Sequence, residues 1–302
     1  MASAIRTRSI FRAYHPAVIL PLRALHLASH GAYRALGFRS RWIEAGERAL
    51  HLYDRPGRGS APAVLLVHGM GSHAGGFLRI LRAVVRTSRR VVALDLPGHG
   101  RSRLREGEAP ATILESAQAV QEALRAIGEP AVLIGSSLGG ALVLAAAAAL
   151  PERTVAVVGM NPAGAPLAGA DREAVLDAYR GGGGAAAGLS TFRRLYQRPP
   201  ALGWLFARDL GRLLGSPPVQ QFVSELESDM PGIGAEVLEA IDKPVLILWG
   251  EGDRILPPSS VEYFRAHLRR GTVEVIPDCG HLPMVEQGRI VAARVARFLA
   301  GL

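Results

Sequence analysis

The sequence predicts an α/β fold in which helices cover a mostly parallel β-sheet, and three observations support this. From about residue 41 onward, strand-like runs alternate with helix-like runs. Residues 61–69 and 89–100 are apolar over most of their length, which is typical of strands buried on both faces. A further apolar run at 131–150 turns directly into an alanine-rich helix pattern. The length of 302 residues and the 49% hydrophobic content suit one large domain, with or without an inserted subdomain.

The remaining elements follow the same alternation and suggest where the domain is interrupted. A helix is predicted at 111–128, strands at 154–160, 244–250 and 272–277, and a closing helix at 285–302. Between them, residues 162–241 contain helical pieces broken by glycines and prolines, without strand patterns. We therefore expect four parts, which are a basic amphipathic N-terminal segment (1–40), a first core part (41–161), a helical cap (162–241) and a second core part (242–302).

The positive charge is concentrated near the N-terminus. The formal net charge is +9, from 35 basic and 26 acidic residues. Residues 1–43 hold seven arginines and no acidic residue, which leaves 28 basic against 26 acidic residues in the rest of the chain. A nearly neutral main body argues against nucleic acid as a partner.

The N-terminal segment lacks the features of a spanning helix or a signal peptide. No stretch approaches the ~20 uninterrupted apolar residues that a membrane span needs, since Pro21 and Arg23 break residues 17–28. The short apolar run and the missing cleavage site argue against secretion, so a cytoplasmic location is expected. The single cysteine, Cys279, excludes an internal disulfide and cysteine-rich zinc modules.

Helical spacing after Pro21 predicts an amphipathic helix. Its apolar stripe faces a polar side that carries Arg23, His30 and Arg34. Two interpretations remain open. Either the helix packs on the body with its arginines in solvent, or residues 1–40 make peripheral contact with a membrane surface. The predicted stripe consists of Leu22, Leu25, Ala28, Ala32 and Leu36.

The junction between strand and helix at 131–150 carries a candidate nucleophile. A strand that turns at once into a helix leaves little room for side chains, and glycines allow the close approach of the two backbones. The frame Gly-x-Ser-x-Gly fits Gly135, Ser137 and Gly139, whereas the neighbouring Ser136 has no glycines at the matching positions. Ser137 is therefore predicted as the nucleophile.

A serine hydroxyl needs a base, usually histidine, and the histidine needs an acid that orients it. Parallel strands end at a common sheet edge, so residues that follow the last two predicted strands can converge on Ser137. Asp253 and His281 hold these positions. Glu251 is a chemically able competitor, but Asp253 lies farther into its loop, where a side chain can reach back.

Other polar groups near the same edge have structural interpretations as well as functional ones. His68 and His99 are expected to be hydrogen-bonding structural histidines, and Cys279 is expected to be a buried apolar side chain. The stretch "HGMG" (68–71) follows a strand and supplies backbone N–H groups. The N–H groups of Met70 and Leu138 are the predicted oxyanion hole, in which each donor contributes about 10² to 10³ in rate.

Together these residues resemble the α/β-hydrolase superfamily over nearly all of the chain from residue 41. Four motifs coincide in order, namely "HGMG" (68–71), "DLPGHGRS" (95–102), "GSSLG" (135–139) and the pair "GEGD" with "CGH". The resemblance implies an eight-stranded sheet with helices on both sides, a cap inserted after the sixth strand, and a structural turn at "DLPGHGRS". Residues 161–166, 192–214 and 279–287 are similar to capped carboxylesterases and monoacylglycerol lipases.

The function implied is hydrolysis of carboxylic esters through an acyl-enzyme, without a cofactor or a metal. The apolar residues of the cap, such as Leu195 and Leu213, suggest a small-molecule ester with an apolar acyl group, for example a monoacylglycerol. The same residues also fit simple packing of the cap on the body. The predicted substrate-binding residues are His68, Gly69, Trp204, Leu205 and Phe206.

Several alternatives share this machinery. One is hydrolysis of a carbon–carbon bond in acidic products of aromatic ring cleavage, for which Arg193, Arg194 and Arg198 offer basic groups. Acyl transfer and cofactor-free peroxidation are others. A non-catalytic binding protein is disfavoured, because Ser137, Asp253 and His281 are all present.

Overall fold

The computed structural model describes residues 20–180, 184–228 and 231–302, and its centre is one eight-stranded sheet. The order is β1-β2-β4-β3-β5-β6-β7-β8, in which β2 runs antiparallel to both neighbours and the strands from β4 to β8 pair in parallel. The predicted mostly parallel sheet is confirmed. The strands are β1 (Arg39–Ala45), β2 (Arg48–Pro56), β3 (Ala63–Val67), β4 (Arg90–Asp95), β5 (Ala131–Ser136), β6 (Thr154–Met160), β7 (Val245–Gly250) and β8 (Gly271–Ile276).

Helices cover both faces of the sheet, so apolar side chains form one core on each side. One core joins the sheet to α3, α4 and the cap, and the other joins it to α1, α2 and α12. This arrangement is the expected α/β-hydrolase fold. The described helices are α1 (Leu20–Ala35), α2 (Leu78–Thr87), α3 (Ile113–Ile127), α4 (Leu138–Ala149), α5 (Gly169–Tyr179), α6 (Ala185–Leu195), α7 (Ala207–Leu214), α8 (Pro217–Glu227), α9 (Ala235–Glu239), α10 (Ser259–His267), α11 (Pro283–Glu286) and α12 (Gly288–Ala300).

Local sequence explains why these elements begin and end where they do. Helix α3 begins at a capping box, in which the Glu115 N–H donates to Thr112 Oγ1 at 3.1 Å and the Glu115 side chain accepts from the Thr112 N–H. It ends at Gly128, whose φ of 82° suits glycine. The strands β3 and β5 are buried along their whole length, as their continuous apolar sequences predict.

The cap follows β6 and precedes β7, as the resemblance implies. Its described residues form α5 to α9 and a 3-10 turn at Gly203–Phe206, without a strand among them. Helix α9 packs against α4 and α10. The last part of the segment 162–241 therefore packs on the helices of the core.

Helix α1 packs on the body, and the predicted apolar stripe is divided, because Leu36 packs against the core whereas Leu25 faces outward. Ser29 and Tyr33 are its buried residues, whereas Leu25 of the predicted stripe is 47% exposed. His30, assigned to the polar side, has its Nδ1 3.0 Å from the Tyr53 hydroxyl. The reason is that aromatic and imidazole side chains make the contacts with the body. No described helix combines the length and hydrophobicity needed to cross a bilayer.

Gly139, at the start of α4, allows a test of whether the close approach of α4 to β3 requires glycine. A Cβ at Gly139 would lie 2.2 Å from the Val67 carbonyl oxygen, so Gly139→Ala must push α4 away from β3. We expect a loss of about 2–3 kcal/mol in the free energy of unfolding, measured by urea denaturation. Gly31→Ala is the control, because a Cβ there meets nothing within 4 Å. It should stabilise α1 by roughly 0.5–1 kcal/mol, and equal effects of the two substitutions would show that the close approach of α4 to β3 does not require glycine.

Candidate active site

Ser137 occupies a strained turn between β5 and α4. Its φ of 53° and ψ of −122° lie outside the regions that side chains ordinarily adopt. A Cβ at Gly135 would lie 2.2 Å from the Gly139 carbonyl oxygen, so the turn requires glycine there. The Ser137 N–H donates to the Met160 carbonyl at 3.0 Å, which ties the turn to β6.

The two serines of the motif have different surroundings. Ser136 is completely buried, and its hydroxyl faces the Met284 sulfur at 3.8 Å, on the side of the sheet covered by α11 and α12. Ser137 is the residue at the tip of the turn. This placement agrees with the motif frame, which selects Ser137.

Asp253 and His281 meet at the same sheet edge. The His281 Nδ1–H donates to Asp253 Oδ2 at 2.8 Å, and both side chains are almost fully buried. The N–H groups of Ile255 and Leu256 donate to Asp253 Oδ1 at 2.7 and 3.0 Å. The competitor Glu251 is exposed. Of the two acids considered, Asp253 is the one placed beside His281.

The surroundings keep Asp253 ionised. Burial alone would raise the pKa of this carboxyl, but the charge and hydrogen bond of His281 and the amides of Ile255 and Leu256 outweigh burial. The pKa of Asp253 is therefore lowered. The opposite ring nitrogen, His281 Nε2, is buried and has no hydrogen-bond partner in the described part of the chain.

The loop at 68–71 passes directly over Ser137. A Cβ at Gly69 would lie 3.0 Å from the Ser137 Cβ, so glycine at this position favours the close approach. The Gly71 N–H donates to His99 Nε2 at 3.1 Å. Within the described residues, the N–H of Met70 has no acceptor, and the N–H of Leu138 lies in the first turn of α4, where helices leave N–H groups free.

His68 and His99 hold this loop in place through both of their ring nitrogens. His68 Nδ1–H donates to the Gly69 carbonyl at 2.8 Å and Nε2 accepts from the Leu96 N–H at 3.0 Å. His99 Nδ1–H donates to the Pro97 carbonyl at 2.9 Å. Burial lowers the pKa of His68 to about 3 and also lowers the pKa of His99. The two histidines are neutral structural groups, as expected.

The motif "DLPGHGRS" forms a turn that supports the same region. Asp95 is buried, and its carboxylate accepts hydrogen bonds from the N–H groups of Ala74 and Arg101 and from His51 Nδ1–H. The Ser102 hydroxyl donates to the Asp95 carbonyl at 2.6 Å. These bonds connect β2, β4 and the loop before α2, which is the structural role implied for the motif.

The arrangement of a serine elbow, a histidine–carboxylate pair and an overlying glycine loop coincides with a known family over most of the chain. Residues 64–294 match the sequence profile of the alpha/beta hydrolase family. The chain belongs to this family. As an alpha/beta hydrolase it is an esterase-like enzyme, in agreement with the resemblance stated from the motifs.

Individual relatives differ in the activities that their names describe. The chain is 29% identical over 296 residues to the dihydrolipoyllysine-residue acetyltransferase component of the acetoin cleaving system of Pseudomonas putida, covering 94% of this chain and 75% of that one. It is 28% identical over 250 residues to the pimeloyl-(acyl-carrier protein) methyl ester esterase of Neisseria meningitidis. This alignment covers 79% of this chain and 94% of the relative. A crystal structure of a bacterial membrane phospholipase A aligns with a TM-score of 0.78 and 27% sequence identity. The alignment covers 93% of this chain and 92% of the phospholipase chain.

One polar residue of this alpha/beta hydrolase site was missed by the sequence analysis. The Asn161 Nδ2–H donates to Asp253 Oδ2 at 2.5 Å, and Asn161 Oδ1 accepts from the Gly250 N–H at 2.9 Å. Asn161 is fully buried and has a φ of 41° directly after β6. In the sequence, the only indication of a role for Asn161 is its position directly after a predicted strand. Asn161 holds the same carboxylate oxygen that binds His281.

The cap also contributes a residue that the sequence did not indicate. The Tyr179 side chain, from the end of α5, lies beside the Ser137 side chain. Burial raises the pKa of Tyr179 to about 12, and the charge of Asp253 adds to the effect. Its ring packs edge-on against Phe222 of α8, with centroids 5.4 Å apart. The cap therefore reaches the hydroxyl of Ser137.

The predicted substrate-binding residues of the cap do not lie together over the elbow. Trp204 and Leu205 are largely exposed, and Phe206 is half-buried. Instead, Leu213 and Val219 cover the glycine loop, since a Cβ at Gly71 would lie 3.3 Å from Leu213 and 3.9 Å from Val219. The 3-10 turn that carries Trp204 contacts α1.

The other polar side chains considered from the sequence are three arginines of the cap and Cys279. Arg193 is exposed, Arg194 donates to the Ala174 carbonyl at 3.0 Å, and Arg198 pairs with Asp278 on the surface at 2.8 Å. Cys279 is completely buried, and burial raises the pKa of its thiol to about 12, so the thiol stays protonated.

The contact between Asn161 and Asp253 can be tested through the pH profile. We expect Asn161→Asp to lower hydrolytic kcat/KM at neutral pH by about tenfold or more, because a second carboxylate replaces the amide donor. The added negative charge favours the protonated, inactive imidazolium, so the acid limb of the profile should move to higher pH. Asn161→Gly, which tolerates the positive φ, should lower activity without moving that limb. A profile of unchanged shape for Asn161→Asp would contradict this positioning role.

Proposed function

We propose that this enzyme hydrolyses carboxylic esters through an acyl-enzyme on Ser137. The observation that carries the proposal is the buried His281, whose Nδ1–H is fixed by Asp253 while its Nε2 has no partner among the described residues. A histidine in this state is a base with one tautomer selected. The strained elbow brings Ser137 to the same sheet edge.

The mechanism has two halves. In the first, His281 takes the Ser137 proton while the oxygen attacks the ester carbonyl, and His281 then gives the proton to the departing alcohol. In the second, His281 takes a proton from water, the resulting hydroxide attacks the acyl-enzyme, and Ser137 leaves with the proton restored. Asp253 stays ionised throughout and stabilises the imidazolium. This role agrees with the lowered pKa of Asp253.

The negative oxygen of each tetrahedral intermediate needs donors that are already in place. The N–H groups of Met70 and Leu138 are proposed for this role, because the Met70 N–H has no acceptor in the described chain and the Leu138 N–H lies in the first turn of α4, directly after Ser137. The close contact of Gly69 with Ser137 supports the position of the loop.

The proposed substrates are esters with an apolar acyl group, such as a monoacylglycerol. Leu213 and Val219 lie against the glycine loop, and Phe222 packs on Tyr179, so the cap above Ser137 is apolar. The relative named as a methyl ester esterase of an acyl-carrier protein supports ester chemistry with an acyl chain. Initial hydrolysis rates across p-nitrophenyl esters of rising acyl length would measure the preference.

Acyl transfer is a second candidate, because one relative is named as an acetyltransferase component. The same acyl-enzyme would then pass its acyl group from Ser137 to an alcohol or thiol instead of water. Acyl transfer and hydrolysis can be distinguished by adding an alcohol or thiol acceptor to the ester assay. The measured quantity is the ratio of acylated acceptor to free acid. We expect hydrolysis to dominate.

Substitution of the two serines tests the nucleophile. We expect Ser137→Ala to lower ester turnover by about 10⁴ or more with the fold intact, because the catalytic groups act as a unit. Ser136→Ala, at a buried hydroxyl on the other side, is the matched control and should keep activity within about tenfold. Turnover should be followed with p-nitrophenyl esters and folding by circular dichroism. Equal activity of the two variants would refute the assignment of the elbow serine.

Substitution of Asp253 tests the acid. Asp253→Asn should lower kcat by about 10³ or more, because the amide no longer selects the required His281 tautomer. Glu251→Gln is the control, since its side chain is exposed, and its kcat should stay near that of the unmodified enzyme. A large loss in Glu251→Gln together with near-normal Asp253→Asn activity would transfer the role to Glu251.

A further inference from the structure

Half of the exposed large apolar side chains that the structure describes lie on two segments that contact each other, α1 and the cap segment at residues 202–205. Ten large hydrophobic residues of the described chain are prominently exposed, and five of them lie on α1 or at residues 202–205 of the cap. Leu202, Trp204 and Leu27 are 63%, 61% and 59% exposed. We call this set the α1–cap surface, and it consists of Leu25, Leu27, Leu202, Trp204 and Leu205.

The two parts of the α1–cap surface are physically joined. Helix α1 contacts the 3-10 turn at Gly203–Phe206. The Leu22 N–H, in the first turn of α1, donates to the carboxylate of Asp209 at 3.2 Å, and Asp209 is buried at the start of α7. An acid at a helix N-terminus is stabilising. The cap therefore holds the start of α1, and the exposed leucines of the cap and of α1 lie on segments that contact each other.

The outward leucines of α1 are not used in packing. The inward face is anchored by the Tyr33 hydroxyl, which donates to the Ala74 carbonyl at 2.8 Å. Tyr33 also stacks on Tyr53, and His26 packs on His73 with ring centroids 4.0 Å apart. Leu25 and Leu27 consequently add exposed apolar area that the fold does not require.

The charge around the α1–cap surface is positive. Arg23 and Arg34 of α1 and Arg208, which follows the 3-10 turn, have exposed side chains. Residues 1–43 contain seven arginines and no acidic residue. The nearby acid Asp209 is buried and bonded to α1. Apolar side chains bordered by arginines, with a tryptophan among them, are what an interfacial helix presents to anionic lipid.

We propose that the α1–cap surface docks on an anionic lipid bilayer, with α1 and the 3-10 turn of the cap lying together in the interface. Trp204 and Leu205, which the sequence suggested as substrate contacts, then contact lipid instead. Binding to the bilayer does not depend on the proposed ester hydrolysis. Docking would bring the cap, whose Tyr179 contacts Ser137, close to lipid, and this consequence does rest on the proposed function.

The test measures partition of the full-length protein onto vesicles of phosphatidylglycerol and phosphatidylcholine by co-sedimentation. The variant Leu27→Ser/Trp204→Ser is compared with Leu114→Ser/Trp42→Ser, which removes equally apolar exposed side chains from α3 and β1. We expect the first variant to lose about tenfold or more in partition and the control pair to stay within about twofold of the unmodified protein. Binding should also weaken on pure phosphatidylcholine and at high salt.

Three outcomes would overturn the proposal. The first is equal partition of the two double variants. The second is retention of binding by Leu27→Ser/Trp204→Ser together with its loss in Arg6→Ser/Arg8→Ser/Arg12→Ser, which would assign binding to the preceding arginines alone. The third is a dimer in solution, measured by light scattering, that the Leu27→Ser/Trp204→Ser variant dissociates while vesicles go unbound, because the surface would then be an interface between two copies. Hydrolysis of a water-soluble short-chain ester by Leu27→Ser gives a separate readout, since failure of docking leaves that rate unchanged.

Discussion

The site depends on how closely the backbone of one turn approaches its neighbours. Between β5 and α4 the chain reverses with no space for a Cβ at Gly135 or Gly139, because carbonyl oxygens lie 2.2 Å from the positions those atoms would take. The cost of this crowding is visible at Ser137, which adopts a positive φ of 53°. Two hydrogen bonds offset the strain, from the Ser137 N–H to Met160 and from the Ala163 N–H to the Ser137 carbonyl.

Those two bonds attach the elbow to the end of β6, and the rest of the site follows from that attachment. Asn161 comes next in the chain and its amide bridges Gly250 and Asp253, so the end of β6 also positions the acid. Asp253 accepts from Asn161, His281 and the N–H groups of Ile255 and Leu256, which accounts for both carboxylate oxygens. A fully hydrogen-bonded buried carboxylate keeps its charge and one orientation. The backbone of the Ser137 turn and the carboxylate of Asp253 are therefore both held in position by hydrogen bonds to the end of β6.

The sequence predicted the features that depend on local pattern. Continuous apolar runs predicted the buried strands, and the glycine frame distinguished Ser137 from Ser136, because both signals arise from sterics within a few residues. The pairing of Asp253 with His281 could be anticipated, since parallel strands end at a shared edge. Asn161 could not, because a single asparagine after a strand is an ordinary turn residue until its partners in the folded chain are known.

The same limit applies to the apolar side chains on the surface. Helical periodicity grouped Leu25 with the other apolar residues of α1, but the helix packs through Ser29 and Tyr33, and periodicity does not distinguish a leucine that faces the core from one that faces outward. Trp204 and Leu205 were assigned to the pocket from their composition, whereas the cap turns them outward beside α1. Which face a cap helix presents depends on contacts between segments far apart in sequence.

The cap and the histidine–carboxylate pair lie at the same sheet edge as Ser137. Tyr179, at the end of α5, lies beside the Ser137 side chain, while His281 Nε2 is without a partner in the described chain. The cap helix is held from the opposite side by the edge-on packing of Tyr179 on Phe222. In the proposed mechanism His281 Nε2 accepts the proton of the Ser137 hydroxyl, and Tyr179 of α5 is a side chain of the cap that lies beside that hydroxyl. The position of α5 therefore affects the surroundings of the proposed nucleophile directly, in addition to the apolar lining that the cap supplies.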